Sequence, residues 1–265
     1  LASTVTTGFS SLDTLPPPPP AAGALSASVP RADGRAVIVA TQGTASPHDT
    51  VTILNLTRGE TTPVLVQANG GFTVSVAASI GDVLRLRIVD SAGNETVAAV
   101  PRFEESLPDG RAAAVVGASG GRLLGPGGVS VDVPPGALSG DAVVTIRAVG
   151  EGDFPVVLPE EHRTRFAYSG GVELDLGGSV PSRYVNLSVA AAGGERPEDR
   201  WIVARVAEVG GRLELDAIDT ARLIDGRITT SSPPCPGALG GGTYGFFRAN
   251  APIGVTQARL YSSAS

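Results

Sequence analysis

At 265 residues, 42% of them apolar, the chain can build one large domain or two ordinary ones with real cores. A formal charge of −6 and scattered arginines exclude the clustered positive surface that nucleic acid requires, and no run of about eighteen apolar residues marks a membrane span. A single cysteine excludes an intrachain disulfide and any metal cluster built from several thiolates.

All 20 basic residues are arginine, and Lys and Met are absent. That bias reads as a GC-rich, bacterial genome and as a chain that begins after processing or inside a longer precursor. No charged-then-apolar signal opens it. The 35 glycines and 21 prolines fall between alternating runs, a pattern of many short strands joined by turns.

Residues 1–25, "LASTVTTGFSSLDTLPPPPPAAGAL", form an arm. Pro16 to Pro20 force polyproline II, a semi-rigid spacer or docking ligand. Val5 to Phe9 is strand-like and suits packing on another subunit, held away from its own domain by the prolines. The alternative is a stiff surface linker.

Residues 26–102 carry strand after strand, from "GRAVIVAT" through "GDVLRLRIVD" to "ETVAAV", separated by turns such as Ala68-Asn69-Gly70-Gly71. The stretch "VTILNLTRGETTPVLVQANGGFTVSVAASIGDVLRLRIVDSAGNET" resembles the immunoglobulin-like repeats of bacterial surface proteins, with their "G-F-x-V" and "G-D-x-L" strands and closing "D-x-A-G-N" turn. The resemblance implies a small β-sandwich and says little about ligand. Asp82, Asp90 and Asn94 are oxygen donors of the kind that bind calcium, although Asp90 and Asn94 also suit turns in which the side chain bonds its own backbone. Asn55, Asn94 and Asn186 head glycosylation sequons.

Residues 103–119 break the alternation with charges and small residues and read as an inter-domain link. From 120 to 249 the strands return. In "GGVSVDVPPGALSGDAVVTIRAV", Val129, Val131 and Val133 alternate, then Val144 and Ile146. Pro134 and Pro135 between them cannot donate to a ladder, so the chain leaves one strand and bends before the next. Gly120-Gly121 followed by Val133 to Leu138, "V-P-P-G-A-L", is similar to the opening of ZU-five domains, the β-sandwiches of zona-occludens proteins, netrin receptors and ankyrins. Ser232 to Gly237 and Gly242 to Tyr244 match the "S-P-P-x-P-G" turn and "G-x-Y" strand of the bacterial branch. Animal relatives act as protein-binding scaffolds, some cleaving themselves at a His-Phe-Ser turn. Here His162 precedes Arg163 and Thr164, so self-cleavage is not implied. Trp201 opens the apolar run Trp201-Ile202-Val203 and reads as a core anchor.

Residues 250–265 hold one more strand-like run, Ile253 to Tyr261, which either completes the second domain or leaves it as a tail. Val5, Phe9, Ile253, Val255 and Tyr261 are the candidates for self-assembly.

Catalysis finds little to work with. His48 and His162 are isolated from any nucleophile motif, and Cys235 sits between prolines in a turn. Glu104-Glu105, Glu160-Glu161 and Glu198-Asp199 read as solvated pairs. No catalytic or cofactor-binding residue is assigned, and Asp82, Asp90 and Asn94 are the only metal candidates.

The expected fold is all-β: an immunoglobulin-like sandwich, then a ZU-five-like one, in tandem behind a proline-rich arm. The expected function is a non-enzymatic structural or adhesive protein, extracellular or at the cell surface, without cofactor. Its partners are other copies of itself joined head to tail into a filament, or other surface proteins. The alternative is a protein- or carbohydrate-recognition module of a larger secreted protein, although 5% aromatics and one Trp are thin for a sugar platform.

Overall fold

Alternation with period two dominates the chain, and strands follow from it. The computed structural model describes residues 13–250 and the strand at 259–261. It divides between Phe103 and Glu104 into two units. Both are all-β; among the described residues, helix is confined to the turn α1 (Glu160–Arg163) and two short 3-10 turns.

The first unit contains β1 (Leu25–Ala27), β2 (Arg35–Ala40), β3 (Thr50–Asn55), β4 (Glu60–Val64), β5 (Phe72–Ala77), β6 (Leu84–Val89) and β7 (Glu95–Ala99). They make two antiparallel sheets, in the orders β1-β2-β5 and β4-β3-β6-β7. Alternate residues face inward, so Ile38, Ile53, Phe72, Leu86 and Ile88 are almost wholly buried between the sheets.

The proline stretch itself packs on this unit, while Val5 to Phe9 lies outside the described residues. Pro17 is buried, its carbonyl accepts the Thr96 hydroxyl, and Asn94 Nδ2 donates to the Asp13 carbonyl at 3.2 Å. The arm therefore lies along β7, an edge strand. The reason is local chemistry: polyproline II cannot supply N–H groups to a ladder but presents free carbonyls, and side-chain donors on the edge take them. Prolines laid along an open edge also block a further strand there.

The second unit contains β8 (Glu104–Ser106), β9 (Arg111–Val116), β10 (Gly121–Gly125), β11 (Val129–Val133), β12 (Ala142–Val149), β13 (Phe166–Asp175), β14 (Asn186–Ala190), β15 (Trp201–Val209), β16 (Arg212–Ile224), β17 (Arg227–Thr230), β18 (Gly242–Ala249) and β19 (Arg259–Tyr261). The expected link at 103–119 is instead largely β8 and β9, with β9 paired to β12 from Ala142↔Val116 to Arg147↔Arg111. Its "RAAAVV" hides the strand because Ala112 to Val116 are all buried, so no alternation survives in the sequence.

One sheet holds every strand of this unit, in the order β10-β11-β14-β17-β16-β15-β18-β13-β12-β9-β8, with β19 added to β16. Strands far apart in that order share one core: Val116, Leu123, Val131, Ile146, Val189, Trp201 and Phe246 belong to a single cluster. The sheet must therefore curl over and face itself, which makes the sandwich. Trp201 is fully buried there and donates Nε1–H to Ser169 Oγ at 3.0 Å. A smaller cluster on the outer side, around Phe154, Leu215 and Phe247, is covered by the segment 150–165.

The two prolines of the opening motif end β11 and start a turn, in which Ala137 N–H donates to Pro134 O at 3.0 Å and Gly136 N–H to Ala118 O at 2.7 Å. Ala137 and Leu138 then drop into the core. Gly120 faces this turn at φ +70°, where a Cβ would stand 2.3 Å from Val133 O, so the motif needs glycine there.

Candidate strand-addition site

The runs "WIVARVAEV" and "RLELDAIDTARLI" alternate around Gly210-Gly211 and form a hairpin, β15 with β16, paired from Trp201↔Ala221 to Val209↔Arg212. β16 has 13 residues, yet on its other side β17 pairs only with Ala221 to Ile224.

What stops β17 is the turn at 231–237. Ser231 N–H still donates to Thr220 O at 2.8 Å. Next come Pro233 and Pro234, which have no N–H to continue the ladder. Asp219, 8% exposed, gathers the remaining donors: Oδ1 accepts from the N–H of Thr220 at 2.6 Å and of Ser232 at 3.0 Å, and Oδ2 from Gly237 N–H at 2.5 Å. Gly237 has φ +115°, and a Cβ there would stand 2.1 Å from Val185 O. The chain turns off β16 and pairs Ala238 with Val185 instead.

This leaves Glu214, Leu215 and Asp216 without β17, and β19 takes the vacant edge: Glu214↔Tyr261, Leu215↔Leu260, Asp216↔Arg259, antiparallel. An unpaired edge is a row of N–H and C=O groups that another strand can satisfy, and an extended segment added there gains main-chain hydrogen bonds. Nearby, Val209 and Leu213 are exposed at the hairpin tip, and Ala207, Val209 and Glu214 to Asp216 line a shallow cavity of about 150 Å³. Leu215 beneath the edge is buried in the outer cluster.

Of the residues expected to join copies, Tyr261 lies in β19. Val5, Phe9, Ile253 and Val255 lie outside the described residues. The acceptor edge at Glu214 to Asp216 was not legible beforehand. Its one sequence signal is a 13-residue run, β16, far longer than the four-residue β17 beside it.

Of the calcium candidates, Asp90 and Asn94 meet, but Asp82 does not join them. Asp82 precedes the six residues of β6 and Asp90 follows them, so roughly 20 Å of extended strand lies between the two. Asp82 Oδ2 accepts from Asn55 Nδ2 at 2.7 Å, Arg58 Nε at 2.7 Å and Ser79 N–H at 2.9 Å. Burial pushes its pKa up, but the bonds from Asn55, Ser79 and Arg58 outweigh that and hold the carboxyl below its ordinary value. Asp90 closes its own turn, accepting from Ala92 N–H, Asn94 N–H and Asn94 Nδ2, all at 2.9 Å. The same networks occupy two sequons, since Asn55 is 4% exposed and the Nδ2 groups of Asn55 and Asn94 are engaged.

His48 is exposed in a turn of the first unit, His162 lies in α1 of the second, and Cys235 is exposed in the turn after β17. Glu104 and Glu105 occupy successive positions of β8 and so project to opposite faces. No group of three or more His, Cys, Asp or Glu side chains is placed to hold a metal among the described residues. No helix there is long and apolar enough to cross a membrane. No family model matches this chain, and no curated protein does.

Proposed function

We propose that this chain is a structural or adhesive protein of the extracellular space or cell surface, whose copies join head to tail through terminal strands. The observation that carries the reading is the half-vacant edge of β16, closed by a C-terminal strand only three residues long. A short strand in register with an open edge can be supplied by the same chain or by another, and the second choice propagates. A head-to-tail contact closes into a ring only if its rotation allows, and otherwise builds a fibre.

The finer fold assignments belong to this reading. Two antiparallel sheets of three and four strands, in the orders β1-β2-β5 and β4-β3-β6-β7, support the immunoglobulin-like reading of the first unit. The ZU-five likeness of the second unit is supported by two turns with physical jobs: "V-P-P-G-A-L" seated on Gly120, and "S-P-P-C-P-G" gathered by Asp219.

Electron microscopy and light scattering of the full chain, beside a chain ending at Asn250, test the proposal. Fibres from the first and monomers from the second are expected. A full chain that stays monomeric at every concentration overturns it.

A further inference from the structure

We infer that the cavity under segment 150–165 is the seat for the N-terminal arm of a second copy, with Phe9 as the anchor; this rests on the assembly reading above. The cavity has a volume of about 660 Å³, within the range of about 300–1,000 Å³ of sites that hold ligands. Its apolar wall is backed by three rings, of which Tyr168 is half-buried while Phe154 and Phe247 are 6% and 1% exposed. Phe154, Tyr168 and Phe247 pack tilted or edge-on, with centroids 5.1 to 5.7 Å apart. Val157 stands at the mouth, 67% exposed. The wall is fixed before any ligand arrives: Tyr168 hydroxyl donates to Val149 O at 2.7 Å, and Arg163 Nε donates to Leu158 O at 3.0 Å. A preformed wall lowers the ordering cost of binding.

The rim carries Glu151 and Arg163, with Asp153 close by. With two acids to one base it repels an acidic peptide, a repulsion that an uncharged segment avoids. The chain contains such a segment outside the described residues. Leu1 to Leu12 has no charged side chain, one aromatic ring in Phe9, and Thr6, Thr7, Ser10 and Ser11 around it. Its root is fixed, because the Asp13 carbonyl is held by Asn94 and the Pro17 carbonyl by Thr96 on the edge of the first unit. Twelve residues reach at most about 40 Å from that point. An arm rooted on one surface, ending in an uncharged segment with one aromatic anchor, fits an aromatic-walled cavity on another copy.

Two full-length chains test this. One carries Ser10→Cys with Cys235→Ser, so that the Phe9 ring is kept, the other Val157→Cys with Cys235→Ser, and disulfide formation between them is followed on mixing. A control replaces Val157→Cys by Leu65→Cys, at another exposed apolar position. Trp201 fluorescence checks that each variant is folded. Cross-linking at Val157 at least about tenfold faster than at Leu65 is expected, since docking raises the effective concentration of the thiols. Equal rates overturn the inference. So does a chain carrying both Ser10→Cys and Val157→Cys that closes on itself at a rate independent of dilution, because the arm then serves its own cavity. Fibres forming despite equal rates leave the assembly reading standing while the cavity inference falls. Fast cross-linking by a chain that forms no fibres reverses that outcome.

Discussion

Asp219 Oδ2 accepts the Gly237 N–H at 2.5 Å, across 18 positions of sequence. The bond ties the middle of β16 to the end of the proline turn. β17 cannot run on along its neighbour, because the donors it would need are two prolines and the others are turned onto one carboxylate. A single buried acid thus sets where the ladder ends and where an edge is left for β19.

Asp219→Ala strands the N–H group of Gly237 in a buried setting and that of Ser232 in a half-buried one. A buried donor left unpaired costs about 1–3 kcal/mol, so the second unit is expected to lose at least about 1 kcal/mol. Asp219→Asn keeps one acceptor oxygen and should lose less. Urea unfolding followed by Trp201 fluorescence measures both, and an unchanged midpoint for Asp219→Ala would deny the carboxylate this role.

The boundary at Phe103/Glu104 is tested by two fragments. Residues 104–265 retain β9, which supplies Ala112, Ala114 and Val116 to the core and pairs β12 from Ala142 to Arg147. Residues 120–249 lack β9. The longer fragment should unfold cooperatively and the shorter should not; cooperative melting of both would return β8 and β9 to the status of a link.

Thr96→Val removes the donor that holds the Pro17 carbonyl. A half-buried neutral hydrogen bond is worth about 0.5–1.5 kcal/mol, and that loss is expected in the first unit. Loosening the arm also uncovers the β7 edge, so light scattering should register added self-association. Association equal to that of the parent chain would mean the arm does not guard the edge.

Asp82 makes the first unit sensitive to acid. Its carboxyl is depressed in the folded state, because the bonds from Asn55, Ser79 and Arg58 outweigh burial. Such a group stabilises the fold above its unfolded value of about 3.9 and loses that contribution as pH falls through the folded value. Asp82→Asn is expected to cost roughly 1–3 kcal/mol at neutral pH. The gap to the parent chain should close once the pH falls below about 3.9 and continues to the lower folded value. Circular dichroism melts at several pH values decide it, and a gap that is constant down to strong acid rejects the assignment.

Local pattern determined a great deal. Val129, Val131 and Val133, and then Val144 and Ile146, place β11 and β12 correctly, because a strand with one buried face writes its period into neighbouring residues. Trp201 at the head of an apolar run is likewise found in the core. Where both faces are covered the period disappears, which is why the strand in "RAAAVV" reads as a link. The polyproline conformation follows from composition, but its docking on Thr96 depends on a residue 79 positions away. Which strand lies beside which is decided by pairings between distant residues. The vacant half of β16 and the aromatic cavity, assembled from Phe154, Tyr168 and Phe247, therefore come only from the tertiary structure.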